Sequence, residues 1–131
     1  MNHQHNMKTN TNIFRIVLSA AFLLCLSAEI SAQEKELDKE QKQLIRETKE
    51  LVSDASLALS DDKFVEGEAD YRKAIAINPK SETAKYNLGN AYYNEAKNDE
   101  AMTRFQQAAD VAENKADKHS AYHNLGNTYM N

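Results

Sequence analysis

The sequence predicts an all-α fold built as a solenoid of helical hairpins, and three observations carry that expectation. The 131 residues contain only three Gly and one Pro, too few for the many turns of a sheet-rich fold. Ala, Glu, Lys, Leu and Gln abound, and these are good helix formers. A phrase also recurs: "NLGNAYYN" at 87–94 returns as "NLGNTYMN" at 124–131, with six of eight residues unchanged. A second register agrees with it. Gly67, Tyr71 and Ala74 return at one constant offset as Ala101, Phe105 and Ala108, keeping a small, aromatic, small order. Such a fixed period marks an array of stacked hairpins.

The segment 1–32 stands apart. Lys8 and Arg15 precede an apolar run from Ile16 to Leu26, broken only by Ser19, and "SAEISAQE" follows. Ile30 and Ala32 suit the positions before a signal-peptidase cut, with Gln33 as the new N-terminus. The run has secretory-signal length and is short for a membrane span. An uncleaved anchor and a buried helix are the other readings, and cleavage is the expectation. Cys25, the only cysteine, follows Leu24, which is too large for a lipidation site. Losing Lys8, Arg15 and Glu29 leaves 14 basic and 19 acidic residues, a formal charge of −5. A mildly acidic chain without a basic cluster argues against nucleic-acid binding.

Residues 33–47 read as a charged helical linker with sparse apolar residues, Leu37, Leu44 and Ile45. Upstream of residue 44 a disordered tether fits equally well. Leu51, Ala55 and Ala58 carry the three-and-four spacing of a packed helix onward. The units are expected at 48–81, 82–118 and 119–131. Small residues permit close helix crossings: Ala55 with Gly67, and Gly89 with Ala101. Phe64, Tyr71, Tyr92 and Phe105 fill the space between helices. Pro79 ends a helix, and Asn78-Pro79 turns the corner. The second unit has Glu113 where the first has Pro79, and three extra residues precede the third. They are expected in a longer second helix or a wider corner. "LSDDKF" and "NDEA" are expected at corners between helices.

Leu88-Gly89, Tyr92, Ala101, Phe105 and Ala108 together resemble the tetratricopeptide repeat (TPR). The resemblance implies a helix-turn-helix solenoid of about two full repeats plus the first helix of a third, the first repeat being degenerate at Asp54 and Ala58. "ADYRKA…NPKSETAKYNLGNAYYN" and "ADKHSAYHNLGNTYMN" resemble, more narrowly, the BatC-type TPR proteins of the Bacteroidetes aerotolerance operon. Their relatives continue the third repeat past this point. The sequence is therefore expected to be truncated, its last helix resting on the second unit but weakly protected.

In a TPR array the first helix of each unit lines a concave groove. The resemblance thus places Tyr86, Asn87, Asn90, Tyr93 and Asn94 on a binding face, continued by His123, Asn124 and Asn127. Carboxamides donate and accept, so they suit an extended peptide backbone. Asn87 and Asn124 would start a ladder, and Tyr86 and Tyr93 would cover apolar ligand side chains. Alternatively, the amides tie neighbouring repeats together. Of the chaperone-binding carboxylate clamp only Asn87 is present; Val52 and Ser120 occupy the basic positions, so an acidic chaperone tail is not expected. His119 and His123 are spaced for one helix face, yet no third ligand supports a metal site, and His119 is read as a helix start. The sequence has no phosphate loop, nucleophile elbow or His-Glu metal motif, so neither an enzyme nor a cofactor is expected.

The function so implied is a noncatalytic protein–protein interaction scaffold of the cell envelope. It is expected in the periplasm or exported, or held at the inner membrane. The resemblance implies membrane-bound von Willebrand A-domain proteins of the same operon as partners. A general envelope module in secretion or outer-membrane assembly, or an accessory piece of a larger protein, are the alternatives.

Overall fold

The computed structural model describes residues 33–130. The leader reading, with its apolar run and Cys25, lies outside the described residues. Two compact units divide the chain, the second beginning at Lys42. The described part of the first unit, 33–41, is helical and exposed throughout.

The second unit is a run of helices. Residues 42–60 form α1, followed by α2 (Phe64–Ile77), α3 (Glu82–Asn94), α4 (Asn98–Val111) and α5 (Lys115–Tyr129). No strand occurs among the described residues. Residues 42–47 are exposed and Thr48 is the first buried residue, where α1 begins to pack. Each later helix packs on its predecessor, α4 lying between α3 and α5. The architecture is an all-α TPR-type solenoid.

The corners explain the helix lengths. Asp62 and Ala96 hold equivalent places in successive units, and both adopt a positive φ, 59° and 56°. Each reverses the chain inside a hairpin, between α1 and α2 and between α3 and α4. "NDEA" is not a corner: Asn98 to Ala101 form the first turn of α4. Asp99 and Glu100 there face the positive end of the helix dipole, which rewards helical placement of these acids. Between hairpins, Asn78 Oδ1 accepts from the Lys80 N–H at 3.2 Å, and the Ser81 hydroxyl caps α3 by accepting from the Ala84 N–H.

The three extra residues lie in neither expected place. α4 has 14 residues, as α2 has, and its corner, 112–114, is one residue shorter than 78–81. The insertion instead extends α5 at its start, so the helix begins four residues before His119. Asn114 drives this. Its side chain accepts from the Asp117 N–H at 2.8 Å, and Asp117 adds negative charge to the first turn. His119 is accordingly inside α5 rather than at its start.

Ala55, Tyr71, Leu88, Tyr92, Ala101 and Phe105 form the main core. Leu88 and Phe105 are almost wholly removed from water, each contributing about 1.5–3 kcal/mol of burial. Ala108, Ala109 and Ala121 form a second cluster that joins α4 to α5 beneath Tyr86. The glycines set the close approaches. A Cβ on Gly67 would lie 2.9 Å from the Ala55 carbonyl oxygen of α1, and one on Gly89 would lie 2.7 Å from the Phe105 ring.

Candidate peptide-binding face

The neighbouring edges of α3 and α5 carry most of the polar residues singled out by sequence, against Phe105 of the main core. Tyr86 is half-buried, its ring edge-on to Phe105 at 5.7 Å. Asn124 reaches from α5 to α3. Its Nδ2 donates to the Tyr86 hydroxyl at 2.9 Å and to Asn90 Oδ1 at 3.0 Å. Both N–H groups of this carboxamide are thereby engaged.

Asn124 bonds Tyr86 and Asn90 and not Asn87, its counterpart in the recurring phrase. Residues 86 and 90 are four apart and share the edge of α3 turned toward α5. Asn87 lies about 100° round the helix from Tyr86. Asn124 therefore acts as a tie between repeats, the alternative left open above.

Asn90, Tyr93, Asn124 and Asn127 do come together. They line a pocket of about 140 Å³ whose remaining described wall is the ring of Phe105. Asn127 Nδ2 lies 3.3 Å from His123 Nδ1, which accepts in the Nε2–H tautomer. His123 is thus tied to the pocket through its neighbour, while its ring stands 6.5 Å from that of His119. Asn94 is exposed and Asn87 half-buried, and neither is among the residues lining the pocket. Sequence reasoning assigned Phe105 to the core alone. Its wall position was legible only in the pairing of an aromatic on α4 with Gly89, whose missing Cβ admits the ring between α3 and α5.

Charge sits elsewhere. Between α2 and α3, the Tyr92 hydroxyl donates to Glu68 Oε1 at 2.7 Å, and Arg72 donates to both Tyr92 and Glu68 at 2.8 and 2.9 Å. Lys97 stands 4.5 Å over the Phe64 ring, which itself packs on Tyr92. The Tyr92 bond, then Arg72, hold the Glu68 carboxyl below its ordinary range against the opposing effect of burial. Burial pushes the Tyr92 phenol up. Lys85 is buried and donates to the Pro79 carbonyl; burial, then the nearby Arg104 charge, lower its ammonium pKa. Glu82 is raised by burial, then by Asp117 on α5. These groups fasten helices and corners and leave the α3–α5 pocket lined by uncharged groups.

Among the described residues, no three potential ligands gather as a metal site would require. No helix there is long and apolar enough to cross a membrane.

The repeat geometry agrees with an independent comparison. Residues 69–95 match the family model described as TPR repeat. The matched segment runs from Ala69 in α2 through the whole of α3, so it includes the Asn78-Pro79 corner and the first copy of the recurring phrase. TPR repeats generally mediate protein–protein interaction and are not catalytic modules. No curated protein matches the chain.

Proposed function

We propose that the chain is a noncatalytic interaction scaffold of the cell envelope that holds an extended peptide or protein segment against α3 and α5. The pocket of Asn90, Tyr93, Asn124 and Asn127 over Phe105 carries this reading. Its volume, about 140 Å³, suits one small aliphatic side chain, and the surrounding carboxamides suit the backbone on either side of it. The uncharged lining favours an uncharged stretch of partner. The leader at residues 1–32 supports export to the periplasm or retention at the inner membrane. The "KHSAYHNLGN" phrase supports a place in an aerotolerance complex of the Bat type, with von Willebrand A-domain membrane proteins as partners.

The test is capture from envelope extract with the mature chain as bait, beside a Tyr93→Ser, Asn127→Ser variant of matched thermal stability. Wild type is expected to retain a defined partner and the variant to lose it. Equal capture by both excludes the pocket. Mass spectrometry of the captured protein separates the readings: von Willebrand A-domain proteins support the aerotolerance complex, and secretion or outer-membrane assembly factors support a general envelope module. Intact mass of the exported chain decides the leader, a start at Gln33 being expected and a start at Met1 excluding cleavage.

A further inference from the structure

Two carboxamides of the α3–α5 pocket are locked in a single orientation. Asn124 Nδ2 commits both of its N–H groups inside the protein, to the Tyr86 hydroxyl and to Asn90 Oδ1. Asn90 Oδ1 is thereby engaged as an acceptor. Asn90 Nδ2 makes no hydrogen bond to another described residue, and since no side-chain polar atom there is buried without a partner, it reaches solvent. Asn124 Oδ1 lies 3.5 Å from His123 Nδ1, which accepts from Asn127 and in that tautomer has no hydrogen to give. The pair thus presents a carbonyl oxygen on the α5 side and an NH2 group on the α3 side. One repeat earlier the counterpart of Asn90 is Ser56, whose hydroxyl pairs with that of Tyr71, so no carboxamide stands at that level of α1.

We propose that this pair sets the direction of the bound segment. One residue of an extended peptide donates its N–H to Asn124 Oδ1 and accepts at its C=O from Asn90 Nδ2, so the segment runs, N to C, from α5 to α3. The proposal deepens the peptide reading of the pocket and rests on it. In an extended chain the N–H and C=O of one residue point to the same edge, as when a residue exchanges both bonds with its opposite across an antiparallel ladder. The N–H always precedes the C=O along the chain, so a fixed acceptor on one side and a fixed donor on the other admit one direction. A segment running the other way sets its C=O against Asn124 Oδ1 and its N–H against Asn90 Nδ2, and all four groups lose their bonds. Asn124 is a positioning residue here: its bond to Asn90 Oδ1 turns Nδ2 toward the ligand. A chain end bearing a carboxylate offers acceptors alone and satisfies Asn90 but not Asn124, so an internal stretch is preferred.

Two uncharged trialanine probes test the direction by NMR. One carries an acetyl group at its N-terminus and a nitroxide amide at its C-terminus; the other carries a nitroxide acyl group at its N-terminus and an N-methylamide at its C-terminus. Alanine suits the volume of the pocket and has no side-chain amide. Each probe spans about 10 Å, which sets its tag on one side of the pocket, so the N-terminal tag is expected to broaden the α5 amides at least about twofold more than those of α3. The C-terminal tag should do the reverse. Asn90→Ser, which installs the residue found at Ser56, should erase the asymmetry while leaving the amide spectrum of α2 in place. The opposite asymmetry, or none while the Asn90 and Asn127 carboxamide signals shift, overturns the direction and leaves the pocket standing. Asymmetry that survives Asn90→Ser overturns the direction as well. Carboxamide signals that respond to propionamide and to neither trialanine probe assign the site to a side-chain amide and overturn the proposal. Signals that respond to none of the three strike the pocket reading, and the direction with it.

Discussion

Gly89 and Gly126 separate cleanly by what faces them. Gly89→Ala puts a methyl into the Phe105 ring, and the expected loss is about 1–3 kcal/mol, read from the denaturant midpoint at constant slope. Gly126→Ala meets open space in a helix interior, so a gain of about 0.5–1 kcal/mol is expected from the same measurement. Equal effects would contradict the burial pattern of α3 and α5. Two carboxylates set the acid response in opposite senses. Glu68 has a folded pKa below its unfolded value of 4.5, so its contribution is fully present above that pH and disappears as pH falls through the folded pKa. Glu82 has a folded pKa above 4.5, so its cost is fully present at neutral pH and is relieved as pH falls through the folded pKa. Thermal midpoints from pH 7 to pH 3 test both. Glu68→Gln should lower the midpoint at pH 7 and flatten its fall below pH 4.5. Glu82→Gln should raise it at pH 7 and lose that advantage on acidification.

At the scale of elements, the two hairpin corners share a device that costs stability. Ala96 holds a left-handed conformation for which a side chain costs roughly 1–2 kcal/mol. Ala96→Gly removes that strain at the expense of added freedom in the unfolded chain, and a net gain of about 0.5–1 kcal/mol is expected in chemical denaturation. The tie between α3 and α5 is tested by Asn124→Ala, which leaves the Tyr86 hydroxyl and Asn90 Oδ1 without this donor. A loss of about 1–3 kcal/mol is expected, with faster amide exchange concentrated in α5. Sequence periodicity found the hairpins because small and aromatic residues recur where helices must cross. It misplaced the extra three residues because spacing measures length and not conformation. Only the capping geometry of Asn114 and Asp117 decides that they extend α5. Likewise, the carboxamides at 90, 124 and 127 were legible as one face. The partner of Asn124 was not, because which edge of α3 turns toward α5 is a packing outcome.

Across the whole molecule, polar groups are divided by task. The Tyr92 hydroxyl, held by Glu68 and Arg72, fastens α3 to α2, Lys97 lays the α3–α4 corner over the Phe64 ring, Lys85 fastens a corner, and the α3–α5 face keeps carboxamides and a tyrosine over an aromatic floor. A solenoid in which each helix chiefly contacts its neighbours can present such a face without disturbing its core. The central claim is that a protein partner lies on it. Photocrosslinking in envelope extract tests this most directly, with p-benzoylphenylalanine replacing Tyr93 in the pocket and, separately, Val65 on the exposed side of α2. The account predicts a discrete adduct from position 93 that is absent from position 65. Adducts of equal yield from both positions, or none from position 93, would contradict it.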